Sequence, residues 1–569
     1  MRAAVLLLAL AAGGVAIAGD GDGKKIPRSR STDPPAPIST RTWRNATLET
    51  TKRVVEEVIE KVRALHVDGD ALSVDKMRED AIEAFREHAA ARSFRLLEGD
   101  ARDLFRRALQ HVRDGDLDDC FQVIDQHLVL RTHEQASSVC DVLVRGAIST
   151  TNDPFTYVID ERAVERLAAS MSGKRPAGFG IKIAESEFGA FTIDHVSRGY
   201  DAFEKGVQDG DTIVELDGHP TVLSSREEVL RRLQGGTKVR LRIWREGFAT
   251  GHDVEIEARV PSGPNVSGGL LPGGIGYVRI DSFNEPTASA LEAVLRRLDR
   301  QGLRAVVIDV RDNPGGSMAS CAAVAGLFLG PGKTVCKITR RESGVVTSTL
   351  CTTDSEAVIS TRTPLVVLTN RGSASASEML AGALRDNSEN GRVRLVGTRT
   401  YGKGVGQSPV PIMAALGEKF LLVSTMKYRT PKDLSPEKDG LQADHQAPRF
   451  AYSPAEQEEL LRLHAEGAFD RYLVDHSVQD ESILLALATD DEGVLERYPG
   501  WAAWQKSVAT TLRPEVLRRA LRAAIRSWAV KTKDRVFRED LEDDVPLRRA
   551  YDMLSAELPR PAPTPKKYF

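Results

Sequence analysis

The sequence predicts a multidomain α+β protein, with an α/β core held between N- and C-terminal helical regions. The length of 569 residues exceeds what one hydrophobic core organises and suggests three or four domains. Near both ends, apolar residues recur at helical spacing: Val54, Val55, Val58, Ile59 and Val62 on one side, Leu517, Ala520, Leu521, Ile525 and Trp528 on the other. Between them, short continuous apolar runs alternate with helical patterns, as in a sheet covered by helices. The composition is that of a globular protein, 41% hydrophobic. A net charge of −3 gives no reason to expect a nucleic-acid partner or a membrane surface. Five cysteines are too few for a disulfide-built scaffold.

Residues 1–18 read as a secretory signal: Arg2, an apolar run from Ala3 to Ala12, and a small-x-small site at Ala16-Ile17-Ala18. The expected location is therefore exported, periplasmic or extracellular, with no stable membrane anchor. Residues 19–40 form a Gly-, Pro- and Ser-rich linker. Residues 41–172 are helical in pattern, with Phe94, Leu97, Phe105 and Leu109 at helix spacing; Cys120 and Cys140 within them read as core thiols. Residues 261–274, rich in Gly, Pro and Ser, read as a linker into the core.

Within the core, 270–450, Ile275–Ile280 and Ala305–Val310 read as strands, Ala288–Leu298 and Ser317–Leu329 as helices. Residues 334–351 read as a β-hairpin around Ser343-Gly344, which sets Cys336 opposite Cys351 and makes a cross-strand disulfide one expectation, free thiols the other. Residues 451–558 return to helix, with Pro514 suited to a first helical position. Residues 559–569, Pro- and Lys-rich, read as a disordered tail that ends in Tyr568-Phe569.

One stretch carries chemistry. Pro364–Thr369 is a buried-strand pattern and Met379–Leu384 opens a helix, so Ser373-Ala374-Ser375-Ala376-Ser377-Glu378 lies at a strand-to-helix turn. A serine there can expose its hydroxyl beside the free N–H groups of a helix start, where a developing oxyanion is favoured. The α/β-hydrolase G-x-S-x-G pattern is absent. The same stretch is also a capping box, S-x-x-E, with Ser375 or Ser377 as the cap, so the pattern alone leaves a purely structural turn open. Lys403, between Gly402 and Gly404, reads equally as a solvated turn lysine or as a base, the latter if burial lowers its pKa.

Together these residues resemble the C-terminal processing peptidases, or tail-specific proteases. The resemblance rests on the Ser373–Glu378 turn, the Ala381-Gly382-Ala383-Leu384 helix with Asp386, Thr400-Tyr401-Gly402-Lys403-Gly404, and Val307-Ile308-Asp309-Val310-Arg311-Asp312-Asn313-Pro314-Gly315-Gly316. It implies Ser375 as nucleophile, Lys403 as general base, Gln407 holding the lysine, and Asp386 in a supporting place. It implies an oxyanion hole from the N–H groups of Gly316 (or Gly315) and Ala376. Residues 177–262 resemble a PDZ domain set into this frame, with Gly178-Phe179-Gly180-Ile181 as its carboxylate-binding loop and Ser225–Leu233 as the groove helix. The implied fold is an α/β serine protease core with an inserted-type PDZ domain. The implied partners are protein or peptide substrates with apolar C-termini, with a homodimer through the helical regions as a further possibility and no cofactor or metal. Two rivals stand beside this: a Ser/His peptidase using His445, and a non-catalytic peptide-binding protein on the same fold. Tyr568-Phe569 has the chemistry of a PDZ ligand, against the plainer reading of an unbound tail.

Overall fold

The computed structural model describes residues 40–559, apart from short stretches (91–93, 186–189, 246–250, 413–418 and 534–539) and scattered one- or two-residue positions between them. The expectations for residues 1–18, for most of the linker and for Tyr568-Phe569 lie outside the described residues.

At the centre is a six-stranded sheet in the order His445–Gln446, Val393–Gly397, Leu365–Thr369, Ala305–Asp309, Ile275–Ile280, Val266–Leu271. All neighbours pair in parallel except the last two, which are antiparallel. Leu365–Thr369 and Ala305–Asp309 are buried throughout, as expected of strands covered on both faces. One face packs on the helices Thr287–Arg300, Met318–Leu329 and Ala376–Asp386. The other receives Leu547, Ala550 and Leu554 of the helix Val545–Glu557. That helix is also tied by charge. Its N-cap Asp544 takes two hydrogen bonds from Arg311 (2.7 and 2.6 Å), and Arg311 is held in turn by the buried Asp309. Arg311 and Arg279 both pair with Asp309, so its carboxyl stays ionised despite complete burial.

Residues 261–274 are not only a linker. Val266–Leu271 forms the edge strand of the central sheet. The glycines that suggest a linker permit close packing instead: a Cβ at Gly268 would lie 2.5 Å from the carbonyl oxygen of Tyr277.

A second, five-stranded sheet runs Tyr157–Asp160, Lys419–Arg429, Thr334–Glu342, Val345–Thr352, with Val405–Pro411 also on Lys419–Arg429. Its long strand joins two cores. Leu421 and Val423 enter the N-terminal helical cluster built on Thr40–Leu65, Val74–Ala90 and His133–Ser149, whereas Met426 and Tyr428 enter the core beneath the central sheet. The expected all-helical pattern over 41–172 is therefore broken by Tyr157–Asp160, whose β-branched and aromatic residues pair with Phe420–Leu422. The hairpin forms as expected, with Cys336 directly opposite Cys351, and the two thiols are not joined.

Residues Ile181–Glu185, Phe191–Val196, Thr212–Leu216, Lys238–Trp244 and His252–Glu257 form a separate antiparallel sheet closed by the helix Arg226–Gly235 around its own core. The C-terminal helices from Pro454 to Lys533 pack around Trp501, Trp504, Leu517 and Leu521.

Candidate active site

Ser375 caps the helix Ala376–Asp386 with φ 54° and ψ −114°, a backbone conformation that L-residues seldom adopt. Such strain persists only where the surroundings fix it, and here they do. The Glu378 carboxylate accepts from the Ser375 N–H (2.9 Å), the Thr400 hydroxyl (2.6 Å), the Gly402 N–H (2.9 Å) and the Lys403 N–H (2.9 Å). One buried side chain thus ties the serine turn to the lysine loop. Burial pushes its carboxyl pKa up, while the four donors oppose that shift. Tyr428 adds a second tie. Its hydroxyl lies 2.6 Å from the Lys403 carbonyl oxygen and 3.0 Å from that of Ser375.

From the other side comes the loop after Ala305–Asp309. The carbonyl of the buried Asn313 accepts from Ala374 N–H (3.0 Å) and the Ser377 hydroxyl (2.9 Å), and its side-chain oxygen accepts from Gly315 N–H (2.9 Å). Gly315 is thereby spoken for. Gly316 N–H and Ala376 N–H have no partner among the described residues. Gly316 adopts φ 140°, and a Cβ there would lie 2.0 Å from the Phe283 carbonyl oxygen, so only glycine fits.

Ser375, Gly316, Lys403 and Gln407 line one cleft of about 470 Å³, with Phe155, Met379, Tyr401 and Leu422 among its walls. Lys403 Nζ donates to Gln407 Oε1 (2.6 Å) and lies 4.8 Å from the Phe155 ring centroid. Gln407 in turn donates to the Phe155 carbonyl. Burial lowers the Lys403 pKa to about 8, aided by the charge of Lys182 and opposed by Asp153, Glu437 and Glu378. Ser375 Oγ and Lys403 Nζ are not hydrogen-bonded to each other. The lysine is turned toward Gln407. Lys182 and Asp194, paired at 2.7 Å on the Ile181–Glu185 and Phe191–Val196 strands, also reach the cleft, so the small domain forms part of its rim.

Asp386 is at the opposite end of the helix from Ser375. It accepts from Lys432 N–H (2.9 Å) and steadies that turn, not the serine. His445 pairs with Val396 in the sheet and is not among the cleft-lining residues. In the small domain, Gly178 bridges to Arg259 and Gly180 takes φ 76° with its carbonyl bonded to Ser197 N–H (2.7 Å). Phe179 is buried and Ile181 packs against the domain core. The N–H groups of Phe179 and Gly180 have no partner among the described residues.

Sequence reasoning found Glu378 as a helix cap but not its reach to Thr400, Gly402 and Lys403, because the pattern S-x-x-E speaks only of the local turn. It missed Phe155, Asn313 and Tyr428 as parts of this site. The roles of Phe155 and Tyr428 depend on pairing across the second sheet.

A family model described as peptidase family S41 matches residues 274–447, and one described as PDZ domain matches residues 169–244. The chain is 32% identical over 322 residues to a carboxyl-terminal-processing protease of Synechocystis sp., covering 55% of this chain and 71% of that relative. It is 32% identical over 304 residues to carboxyl-terminal-processing peptidase 3, chloroplastic, of Arabidopsis thaliana, covering 51% of this chain and 56% of that relative. A solved structure titled photosystem II D1 C-terminal processing protease aligns at 25% identity and a TM-score of 0.45, covering 65% of this chain and 92% of that one. With the serine turn, the lysine loop and the PDZ sheet described above, the chain belongs to peptidase family S41, among the carboxyl-terminal-processing proteases, and is a serine-type peptidase.

Proposed function

We propose that the protein is an exported endopeptidase that holds a substrate's C-terminal tail on its PDZ domain, residues 177–262, and cuts near that end with a Ser375/Lys403 dyad. The observation that carries this reading is the shared cleft. It holds a hydroxyl on a strained helix cap, an amine whose pKa is lowered to about 8, and a glycine N–H with no partner among the described residues.

In this mechanism Lys403 swings from Gln407 to Ser375, and its neutral amine takes the hydroxyl proton as Oγ attacks the scissile carbonyl. The oxyanion of the tetrahedral intermediate accepts from Gly316 N–H and Ala376 N–H, at the positive end of the helix. Lys403 then gives the proton to the leaving amine, and the C–N bond breaks. In the second half, Lys403 takes a proton from water as it attacks the acyl-serine, and returns it to Ser375. Gln407, anchored on Phe155, holds the lysine between turnovers. Asp386 supports the Lys432 turn at the far end of the helix that Ser375 caps. The loop Gly178-Phe179-Gly180-Ile181 receives the terminal carboxylate on the Phe179 and Gly180 N–H groups. Export rests on the sequence of residues 1–18; among the described residues no helix is long and apolar enough to cross a membrane.

The test is mass spectrometry of a peptide with an apolar C-terminus and a free carboxylate. The wild type should release a C-terminal fragment. Ser375→Ala, Lys403→Ala and Lys403→Arg should release none while keeping the wild-type circular dichroism, because arginine keeps its charge and cannot act as the base. Normal turnover in Lys403→Arg together with loss in His445→Ala would replace the dyad with a Ser/His pair.

A further inference from the structure

The strand Val345–Thr352 ends the order of the second sheet. One edge pairs with Thr334–Glu342; the other pairs with no strand among the described residues. Val345 is 62% exposed, Val346 47% and Leu350 60%, and the intervening Thr347, Ser348 and Thr349 are exposed as well. An open edge offers alternate N–H and C=O groups to any extended chain, and proteins ordinarily blunt it with lysine, proline or a bulge. Here the sequence Val345-Val346-Thr347-Ser348-Thr349-Leu350-Cys351 contains no charge and no proline. Among the described residues, the irregularity in the hairpin lies at its far end, between Thr334 and Cys336 on the other strand.

The sequence of this edge also says what fits it, because it is close to palindromic about Ser348. Laid antiparallel on a second copy across a two-fold axis at Ser348, Thr347 meets the partner's Thr349, Val346 meets the partner's Leu350, and Val345 meets the partner's Cys351. Residues of one face stay on one face, since side chains alternate along the strand. Val346 and Leu350 of the two copies then gather on one face around the paired serines. Cross-strand pairs of β-branched or apolar residues and of threonines are the favourable ones, and with no charge on the strand nothing repels across the axis. Moving the axis by one residue sets Ser348 against Val346 or Leu350 instead. Self-complementarity of this kind is what an isologous two-fold contact requires. The C-terminal helices also expose Val474 and Val478, but nothing on that surface selects an occupant.

We propose that the edge strand Val345–Thr352 is a homodimer interface, pairing antiparallel with itself about Ser348 and joining two five-stranded sheets into one. The experiment is sedimentation of the full chain over the micromolar range, with cysteine variants to read the register. The wild type should sediment as a dimer. Val346→Lys combined with Leu350→Lys should halve the measured mass while leaving peptide turnover unchanged. Ser348→Cys should form a covalent dimer on mild oxidation. Val345→Cys should do so through the partner's Cys351, and should lose the cross-link when Cys351→Ala is added. A wild type that stays monomeric, or a dimer that survives the double lysine substitution, would overturn the proposal. Ser348→Cys failing to cross-link in a dimeric protein would do the same, and it keeps the test decisive if the lysine variant does not fold.

Discussion

The Gly315-Gly316 loop and the Gly178-Phe179-Gly180-Ile181 loop both present N–H groups that have no partner among the described residues, yet they are held to different degrees. The first is fixed from several directions: Asn313 binds Gly315, Ala374 and Ser377, and a Cβ at Gly315 would lie within 2.8 Å of the Ser375 Cβ. The second is pinned at Gly180, where a Cβ would lie 2.2 Å from the Tyr200 side chain, and is open at Gly178, where none of the described residues lies within 4 Å. In the proposed reading, one loop meets a charge that exists only in the transition state and the other meets a resting carboxylate. Preorganisation pays off most where charge develops during reaction. A carboxylate that arrives already formed tolerates a looser receiver.

The difference can be pressed hardest at Gly316. Gly316→Ala should lower kcat by roughly 10²–10³, the usual effect of losing an oxyanion donor, with little change in KM. Steady-state kinetics on one peptide would check this, and an equal rise in KM with kcat intact would make the two loops alike.

Next comes pH. In the proposed dyad Lys403 acts only when neutral, and its pKa is lowered to about 8. Below that value it is protonated, so kcat should fall about tenfold for each pH unit of acidification and level off above it. A peptide carboxylate, with a pKa of roughly 3.5, is charged throughout this range, so KM should stay flat. A pH profile of kcat and KM measured separately would show whether the two loops respond independently.

Gly180→Ala should cost about tenfold in kcat/KM toward a free-acid peptide and nothing toward its amide, because the strained loop loses a charge-assisted hydrogen bond. Equal losses toward acid and amide would place the carboxylate elsewhere. Gly178→Ala should be the mildest, within about twofold, because its Cβ meets none of the described residues and its φ needs no glycine. The structure thus separates two glycines that stand two positions apart in one loop.

Much of this was legible in the sequence because it is local. The strand Leu365–Thr369, the cap at Ser375 and the helix after it follow from one apolar run, one polar turn and one helical pattern. The hairpin register that sets Cys336 against Cys351 follows from the length of a turn. What was hidden depends on distant pairing. Tyr157–Asp160 is a strand only because Phe420–Leu422 lies beside it. Glu378 reaches Lys403 only because two loops are folded together. Val266–Leu271 carries linker composition and becomes a strand because small residues let it lie close to Tyr277 and Val294.

The helix Val545–Glu557 has a consequence for the order in which the enzyme is made. It covers one face of the catalytic sheet and, through Asp544, neutralises Arg311 at the root of the Gly315-Gly316 loop. A chain leaves the ribosome N-terminus first. The strands, the serine turn and the lysine loop therefore emerge while that face is still bare and Arg311 lacks its outer carboxylate. The whole C-terminal helical region must follow before the sheet is sealed. The segment that covers this face is therefore translated well after the serine turn and the lysine loop that the sheet carries.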